Sequence, residues 1–200
     1  MSKKFLIMKK PYLIEFLGMP RAGKTTQIKL LKKYFESRGK KVHVISDRER
    51  AARMYTPPDE PIAYDLVIPA LGLEAYFKHR DKVDVIIADR GFQDGRIWFD
   101  IKGRLGEIPL KRAKQLKDTF LEYENLADCT ICMMVDPTTA VGRHQNTKHM
   151  KVDDLGLSLP YLNALVKSYK QHRRHFKNCL WINGNKTPQE MHNNILSFLK

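Results

Sequence analysis

One stretch decides the predicted fold: Gly18-Met19-Pro20-Arg21-Ala22-Gly23-Lys24-Thr25-Thr26, which fits the pattern G-x-x-x-x-G-K-[ST]. An apolar run over residues 12–17 precedes it, and Ile28, Leu31 and Phe35 follow at helical spacing. In that context the glycines let the backbone approach a phosphate closely, and the helix N-terminus adds partial positive charge. The stretch therefore predicts a strand, a phosphate-binding loop and a helix.

A loop of this kind implies a nucleoside triphosphate and a magnesium ion. We expect Lys24 to reach the β- and γ-phosphates, and the Thr25 hydroxyl to ligate Mg²⁺. The residues predicted to contact the triphosphate of ATP are Gly18, Arg21, Ala22, Gly23, Lys24, Thr25 and Thr26.

Strands and helices alternate along the rest of the chain. Further apolar runs lie at residues 42–46, 83–88, 129–135 and 179–182, and stretches with helical period lie at residues 61–80, 111–127, 162–176 and 188–199. Uninterrupted apolar runs suit strands buried on both faces. The pattern predicts an α/β fold with a parallel sheet, as one domain over residues 1–200 with a small lid within 143–157.

Composition narrows the partners. The chain has 200 residues and a net charge of +14, which favours anionic partners, either phosphates or nucleic acid. Three cysteines do not make a disulfide framework, and Cys129 and Cys132 would lie on opposite faces of one strand, so we interpret both as core residues. No stretch approaches the ~20 apolar residues of a membrane helix, so we expect a cytoplasmic protein without membrane contact.

A second acidic element follows the third apolar run. Asp89 stands at the end of that run and Arg90 comes next. A carboxylate at this edge of the sheet can hold Mg²⁺ beside the phosphate loop, so we predict Asp89 as a metal ligand together with Thr25. Asp136, at the end of the fourth run, is better interpreted as a helix N-cap.

These residues resemble the thymidylate kinase family, within the P-loop nucleoside and nucleotide kinases. The resemblance is carried by residues 18–27, by Asp89-Arg90 and by Arg143 after the fourth strand. It implies a three-layer sandwich with strand order 2-3-1-4-5, and phosphoryl transfer that uses ATP and Mg²⁺. It further implies catalytic roles for Arg21, Lys24, Asp89 and Arg143.

The lid is expected to supply further cations. Lys148 and Lys151 could assist Arg143 in stabilising the transferred phosphoryl group, or they could be solvated lid charge.

The acceptor side departs from that family. The position before Arg21 is Pro20, where an Asp is usual, and residues 47–50 and 91–96 lack the family pattern. The sequence therefore leaves the acceptor open as an anionic small molecule, nucleotide-like or nucleoside-like.

Strand ends two and three nevertheless supply candidate contacts for the acceptor. We predict substrate-binding roles for Asp47, Arg50, Arg90 and Asp94. A hydroxyl acceptor needs a carboxylate to orient or deprotonate it, and Asp47, Glu49 or Asp94 could serve. Trp98 and Phe99 are interpreted as core residues.

Three functions remain open. The first is an ATP-dependent phosphotransferase that moves the γ-phosphate to a nucleotide or nucleoside-like acceptor. The second is a polynucleotide 5′-hydroxyl kinase, which the basic excess favours. The third is an ATP-binding regulatory switch without a transfer acceptor. A homodimer is possible in each case, and we interpret residues 172–175, a basic cluster, mainly as a solvated face.

Overall fold

Five of the predicted apolar runs form one parallel sheet in a computed structural model, which describes residues 10–46, 62–145, 158–176 and 178–200. The strands are β1 (Tyr12–Gly18), β2 (Val42–Ile45), β3 (Val85–Asp89), β4 (Cys129–Met134) and β5 (Cys179–Asn183). Their order in the sheet is β2-β3-β1-β4-β5, so the predicted fold class and strand order are confirmed.

Helices cover this sheet. Within the described ranges they are α1 (Lys24–Glu36), α2 (Ala63–His79), α3 (Asp94–Arg104), α4 (Leu110–Leu116), α5 (Pro137–Gln145), α6 (Leu159–His172) and α7 (Pro188–Phe198). Helix α1 packs on α7, and α3 packs on α6. None of these helices combines the length and apolar character that crossing a membrane requires.

The sheet register places three strand ends side by side. Phe16 of β1 is level with Asp89 of β3, and Gly18 of β1 is level with Met133 of β4. The carboxyl ends of β1, β3 and β4 therefore meet at one edge, where ligands of open α/β sheets bind. Cys129 and Cys132 are buried and free of disulfides, as their interpretation as core residues requires.

Helix α3 was not predicted, and another helix was predicted too long. Helix α3 carries Gly95 and Gly103. Because each glycine is about 1 kcal/mol less favourable in a helix than alanine, the sequence of this segment does not indicate a helix. Packing explains Gly103, because a Cβ there would lie 2.7 Å from the Cβ of Ala113 in α4. The helix predicted over 111–127 is wrong: α4 ends at Leu116, and a separate 3₁₀ segment spans Leu121–Leu126.

Some predictions fall on other parts of the chain. Asp47, Glu49 and Arg50 lie outside the described residues, as do Lys148, Lys151 and most of the proposed lid. The described part of that lid, residues 143–145, is the last turn of α5.

Candidate active site

The phosphate loop joins β1 to α1 through two glycines with left-handed backbone. Gly18 has φ +114°, and a Cβ there would lie 2.1 Å from the carbonyl oxygen of Met133. Gly23 has φ +96° and precedes α1 directly. The first turn of α1 carries no acidic residue, and its N-cap has no side-chain hydrogen bond. Its backbone N–H groups are therefore suited to an external anion.

Lys24 folds back over this loop. Its Nζ donates to the carbonyl oxygens of Gly18 at 3.1 Å and Met19 at 2.9 Å. Only 8% of the residue is exposed, so the ammonium stays near the loop rather than in solvent. A phosphate on the loop amides would meet this charge at short range.

Two arginines bring α5 against the same loop. Arg143 Nη1 donates to the carbonyl oxygen of Arg21 at 3.0 Å, and Arg21 Nη2 donates to His144 Nδ1 at 2.8 Å. Arg21 and Arg143 both line the cavity that the loop borders. The structure thus brings together the two arginines that the sequence analysis paired.

That cavity has a volume of about 780 Å³ and extends well beyond the loop. Thr25, Thr26 and Asp89 line it beside Lys24. Its lining continues to residues of α2, α3 and α6, namely Tyr64, Asp65, Ile68, Pro69, Asp94, Trp98, Lys102 and Tyr161. A cavity of this size accommodates a small organic molecule next to the phosphate loop.

Arg90 sits at the turn after β3 in a left-handed conformation, with φ 63°. Its Nη1 donates to Asp94 Oδ2 at 2.7 Å, and its guanidinium lies 4.7 Å from the centre of the Trp98 ring. Trp98 is partly buried, packs against the main hydrophobic core and also lines the cavity, so its interpretation as a core residue holds only in part. Phe99 is fully buried, as predicted. Trp98 and Asp94 together fix the direction of the guanidinium.

Asp94 is the centre of a buried hydrogen-bond network. Besides Arg90, Trp98 Nε1 donates to Oδ2 at 2.6 Å, and the Tyr169 hydroxyl donates to Oδ1 at 2.7 Å. Burial favours the neutral acid, but Arg90 and these hydrogen bonds outweigh it and hold the pKa of Asp94 below its usual range. This carboxylate positions Arg90, and its predicted contact with substrate stays a prediction.

Tyr169 of α6 connects this network to the phosphate loop. Its hydroxyl accepts a hydrogen bond from the backbone N–H of Gly18 at 2.9 Å while it donates to Asp94. Burial and the nearby Asp94 charge raise the pKa of Tyr169 well above its ordinary value, so the hydroxyl stays neutral. Tyr169 therefore links the start of the phosphate loop to Asp94, the carboxylate that positions Arg90.

Glu15 holds the turn after Arg90 in place by hydrogen bonds. It is fully buried in β1, where Oε1 accepts from the backbone N–H of Phe92 at 2.8 Å and Oε2 accepts from Gln93 Nε2 at 3.1 Å. A Cβ at Gly91 would lie 2.0 Å from Glu15 Oε1. The buried carboxylate thus explains why a glycine stands at position 91.

A pH dependence of stability follows from Glu15. Burial raises its pKa from 4.5 to about 7, although the Phe92 and Gln93 hydrogen bonds partly oppose this. The folded state then retains a proton that the unfolded state releases, so Glu15 lowers the free energy of unfolding by up to about 3 kcal/mol as pH rises from about 4.5 to 7.

The variant Glu15→Gln lacks this titration. Between pH 4.5 and 8, we expect the Tm of the wild type to fall by about 6–10 °C relative to the Tm of Glu15→Gln. Thermal melts followed by circular dichroism at several pH values measure this difference. Glu122→Gln, at an exposed position, is the control; parallel curves for wild type and Glu15→Gln would contradict the expectation.

The loop after β5 lies against the phosphate loop. A Cβ at Gly184 would be 3.0 Å from the carbonyl oxygen of Ala22. Asn185 Nδ2 donates to Asp136 Oδ2 at 2.6 Å, and the backbone oxygen of Asp136 accepts from Ala140 N in the first turn of α5. Asp136 therefore lies at the start of α5, as predicted, and its side chain anchors the β5 loop.

Two charged cavity residues were not predicted from the sequence. Asp65 belongs to the first turn of α2 and is 8% exposed, and Lys102 of α3 places Nζ 3.4 Å from Asp65 Oδ2. Residues 64–70 of α2 are apolar except for Asp65, and this lone carboxylate was the sequence signal that could have identified it. Lys102 gave no such signal, because α3 itself was not recognised.

Comparison with known proteins adds the fold relationship. No protein-family model matches the chain, and no curated protein does. The chain is similar in fold to deoxyadenosine kinase from M. mycoides. The complex of that enzyme with dATP has a TM-score of 0.67 at 16% identity, over 94% of this chain and 98% of the other.

Two further structures of the M. mycoides enzyme show the same likeness. The dCTP complex has a TM-score of 0.61 at 20% identity, over 94% of this chain and 98% of the other. The complex with the products dCMP and a flexible dCDP has a TM-score of 0.61 at 20% identity, over 94% of this chain and 97% of the other. At these identities the likeness is one of fold, and the resemblance to thymidylate kinases stays a prediction.

Proposed function

We propose that the protein is an ATP-dependent kinase that transfers the γ-phosphoryl group of ATP to a hydroxyl of a nucleoside. The observation that carries the proposal is that one cavity spans the whole candidate site. It borders the phosphate loop at Lys24 and Thr25, passes Asp89 and Arg90, and extends to Asp65. A donor phosphate and an acceptor can therefore meet inside one enclosure, which phosphoryl transfer requires.

The donor end fits the triphosphate of ATP. The uncapped N-terminus of α1 and the Lys24 ammonium supply donors and charge for phosphate oxygens. Thr25 and Asp89 both line the cavity and offer the oxygen ligands that Mg²⁺ prefers. Bound there, Mg²⁺ would neutralise phosphate charge, while Arg21 and Arg143 contact the equatorial oxygens of the transferred group.

The acceptor end favours a neutral hydroxyl over a second phosphate. Of the described cavity residues with positive charge, Arg21, Lys24 and Arg143 gather at the donor loop. Arg90 is paired with Asp94, and Lys102 is paired with Asp65. A monophosphate acceptor needs cations to hold its charge, and both acceptor-side cations that the structure describes have a carboxylate partner. The arrangement supports a nucleoside rather than a nucleotide such as TMP.

The proposal also covers the activation of the attacking hydroxyl, the acceptor class and the location of the protein. Asp47 and Glu49 are the proposed carboxylates that orient the attacking hydroxyl, while Asp94 already accepts three hydrogen bonds. Fold similarity to a deoxyadenosine kinase supports a nucleoside acceptor. Free cysteines and the use of ATP support a cytoplasmic location. Nucleic-acid binding and a homodimer stay predictions.

The test is ADP release from ATP and Mg²⁺ across a panel of acceptors. The panel holds ribonucleosides, deoxyribonucleosides, nucleoside monophosphates including TMP, and 5′-hydroxyl oligonucleotides, with Lys24→Met as the blank. We expect a nucleoside to raise the rate at least about tenfold above acceptor-free hydrolysis, because an oriented acceptor competes with water. Greatest stimulation by a monophosphate or an oligonucleotide would replace the nucleoside assignment. Slow acceptor-independent hydrolysis alone would favour a nucleotide switch.

A further inference from the structure

The wall of the cavity carries a buried ion pair that packing alone does not explain. Asp65 is 8% exposed, and its Oδ2 lies 3.4 Å from Lys102 Nζ. Lys102 also contacts Glu107 at 3.2 Å. Among the described residues, no hydrogen bond reaches Asp65 Oδ2, although the atom is buried. A buried carboxylate oxygen without a donor is costly, unless a ligand supplies that donor.

Lys102 compensates the buried charge of Asp65 only in part. Burial raises its pKa to about 6, and the charge and contact of Lys102 reverse this only partly. Asp65 also lies in the first turn of α2, where a negative charge interacts favourably with the helix dipole, but that effect is worth only about 0.3–1 kcal/mol. The dipole does not require the side chain to be buried in the cavity wall.

The pair lines the same cavity as Arg90, on α2 and α3 rather than on the phosphate loop. Asp94, which holds Arg90, is the first residue of α3, and Lys102 follows two turns later, about 12 Å along the helix axis. A nucleoside whose reacting hydroxyl lies near Arg90 extends over a comparable length. Its base would then reach Asp65 and Lys102, with Ile68 and Pro69 as apolar neighbours.

The chemistry of the pair discriminates among bases. A carboxylate accepts two parallel N–H bonds, and an ammonium beside it donates to an oxygen. Guanine presents O6, N1–H and the 2-amino group in that order along one edge, so it has two adjacent donors for the carboxylate and one acceptor for the ammonium. The other common bases do not present two adjacent donors, so they would leave one carboxylate oxygen unpaired.

We infer that Asp65 and Lys102 select a guanine-type base in the acceptor, a specificity that rests on the proposed nucleoside kinase activity. Asp65 accepts hydrogen bonds from N1–H and the 2-amino group, and Lys102 donates to O6. A site built to hydrogen-bond such groups rejects a base that lacks them, because its own buried polar atoms stay unpaired. The pair would thus determine specificity without taking part in phosphoryl transfer.

The first experiment needs no variant. The values of kcat/KM are compared for deoxyguanosine, deoxyinosine, deoxyadenosine, deoxycytidine and thymidine. Deoxyinosine lacks only the 2-amino group, so we expect about a tenfold loss relative to deoxyguanosine and about 10²-fold or more for the other three nucleosides. Equal values for deoxyguanosine and deoxyinosine, or a preference for another base, would overturn the inference and leave the kinase proposal intact. If no nucleoside is phosphorylated, both are wrong.

The second experiment separates recognition from structural support. Asp65→Asn should bring the ratio of kcat/KM for deoxyguanosine to that for deoxyadenosine near unity, because the amide offers only one acceptor. Glu74→Gln, an exposed acid on the same helix, is the matched control and should keep the wild-type ratio. An Asp65→Asn variant that slows all nucleosides by one common factor would show a structural role only. Should that variant fail to fold, the deoxyinosine comparison decides.

Discussion

Replacing Lys24 with methionine is expected to lower kcat for the proposed phosphoryl transfer by about 10²–10³-fold, because a cation is lost where transition-state charge develops. Methionine keeps an unbranched apolar stem but cannot donate to the Gly18 and Met19 carbonyl oxygens, as Lys24 Nζ does. The exchange therefore tests charge and hydrogen bonding at nearly constant shape.

The measurement is the initial rate of acceptor-dependent ADP release at saturating ATP and acceptor. Lys29→Met lies on the exposed side of the same helix and removes one charge from the molecule, so it controls for net charge. Thermal melts of both variants establish that the fold is retained. A Lys24→Met variant with more than about half of the wild-type rate would mean that Lys24 does not contact the transferred phosphate.

Replacing Asp94 with asparagine is the second change with a large expected effect. Three donors, from Arg90, Trp98 and Tyr169, converge on this carboxylate, which is 3% exposed. An amide offers one acceptor oxygen and turns its NH₂ group toward a donor, so Arg90 loses its charged partner. We expect a loss of about 3 kcal/mol in the free energy of unfolding, which is typical of a broken buried pair.

The kinetic signature of Asp94→Asn separates positioning from simple destabilisation. Because Asp94 directs Arg90 on the acceptor side, we expect the KM for the acceptor to rise about tenfold or more, while the KM for ATP stays within about threefold. Asp100→Asn is the matched control: it lies on the same helix and is paired with Arg104, outside the cavity lining. Equal changes in both KM values would contradict the positioning role of Asp94.

Local signals explain why the position and the backbone geometry of the phosphate loop could be predicted. The phosphate loop is contiguous in sequence, and its glycines are required by backbone geometry at Gly18 and Gly23. The sheet order followed from a resemblance carried by that loop, and the apolar runs marked each strand. Arg143 was predicted from the same resemblance, and in the structure it contacts the loop because β4 is a neighbour of β1 in the sheet.

The acceptor half could not be predicted in the same way, because packing creates it. Asp65 and Lys102 lie far apart in the chain and meet only where α2 packs on α3. Helix α3 contains two glycines that weaken its helical pattern, and close packing requires the one at Gly103. Trp98 illustrates the same limit, since a tryptophan on a helix face gives no sign of whether that face meets the core or a cavity.

The contact between Gly91 and Glu15 has a consequence for how this chain can diverge. Glu15 lies within β1 and Gly91 follows the end of β3, yet a Cβ at position 91 would collide with the carboxylate at position 15. A mutation at 91 is therefore tolerated only after position 15 has become smaller. Shortening residue 15 first leaves the Phe92 amide without its acceptor but keeps the turn sterically possible. A change at position 15 must therefore precede any change at Gly91.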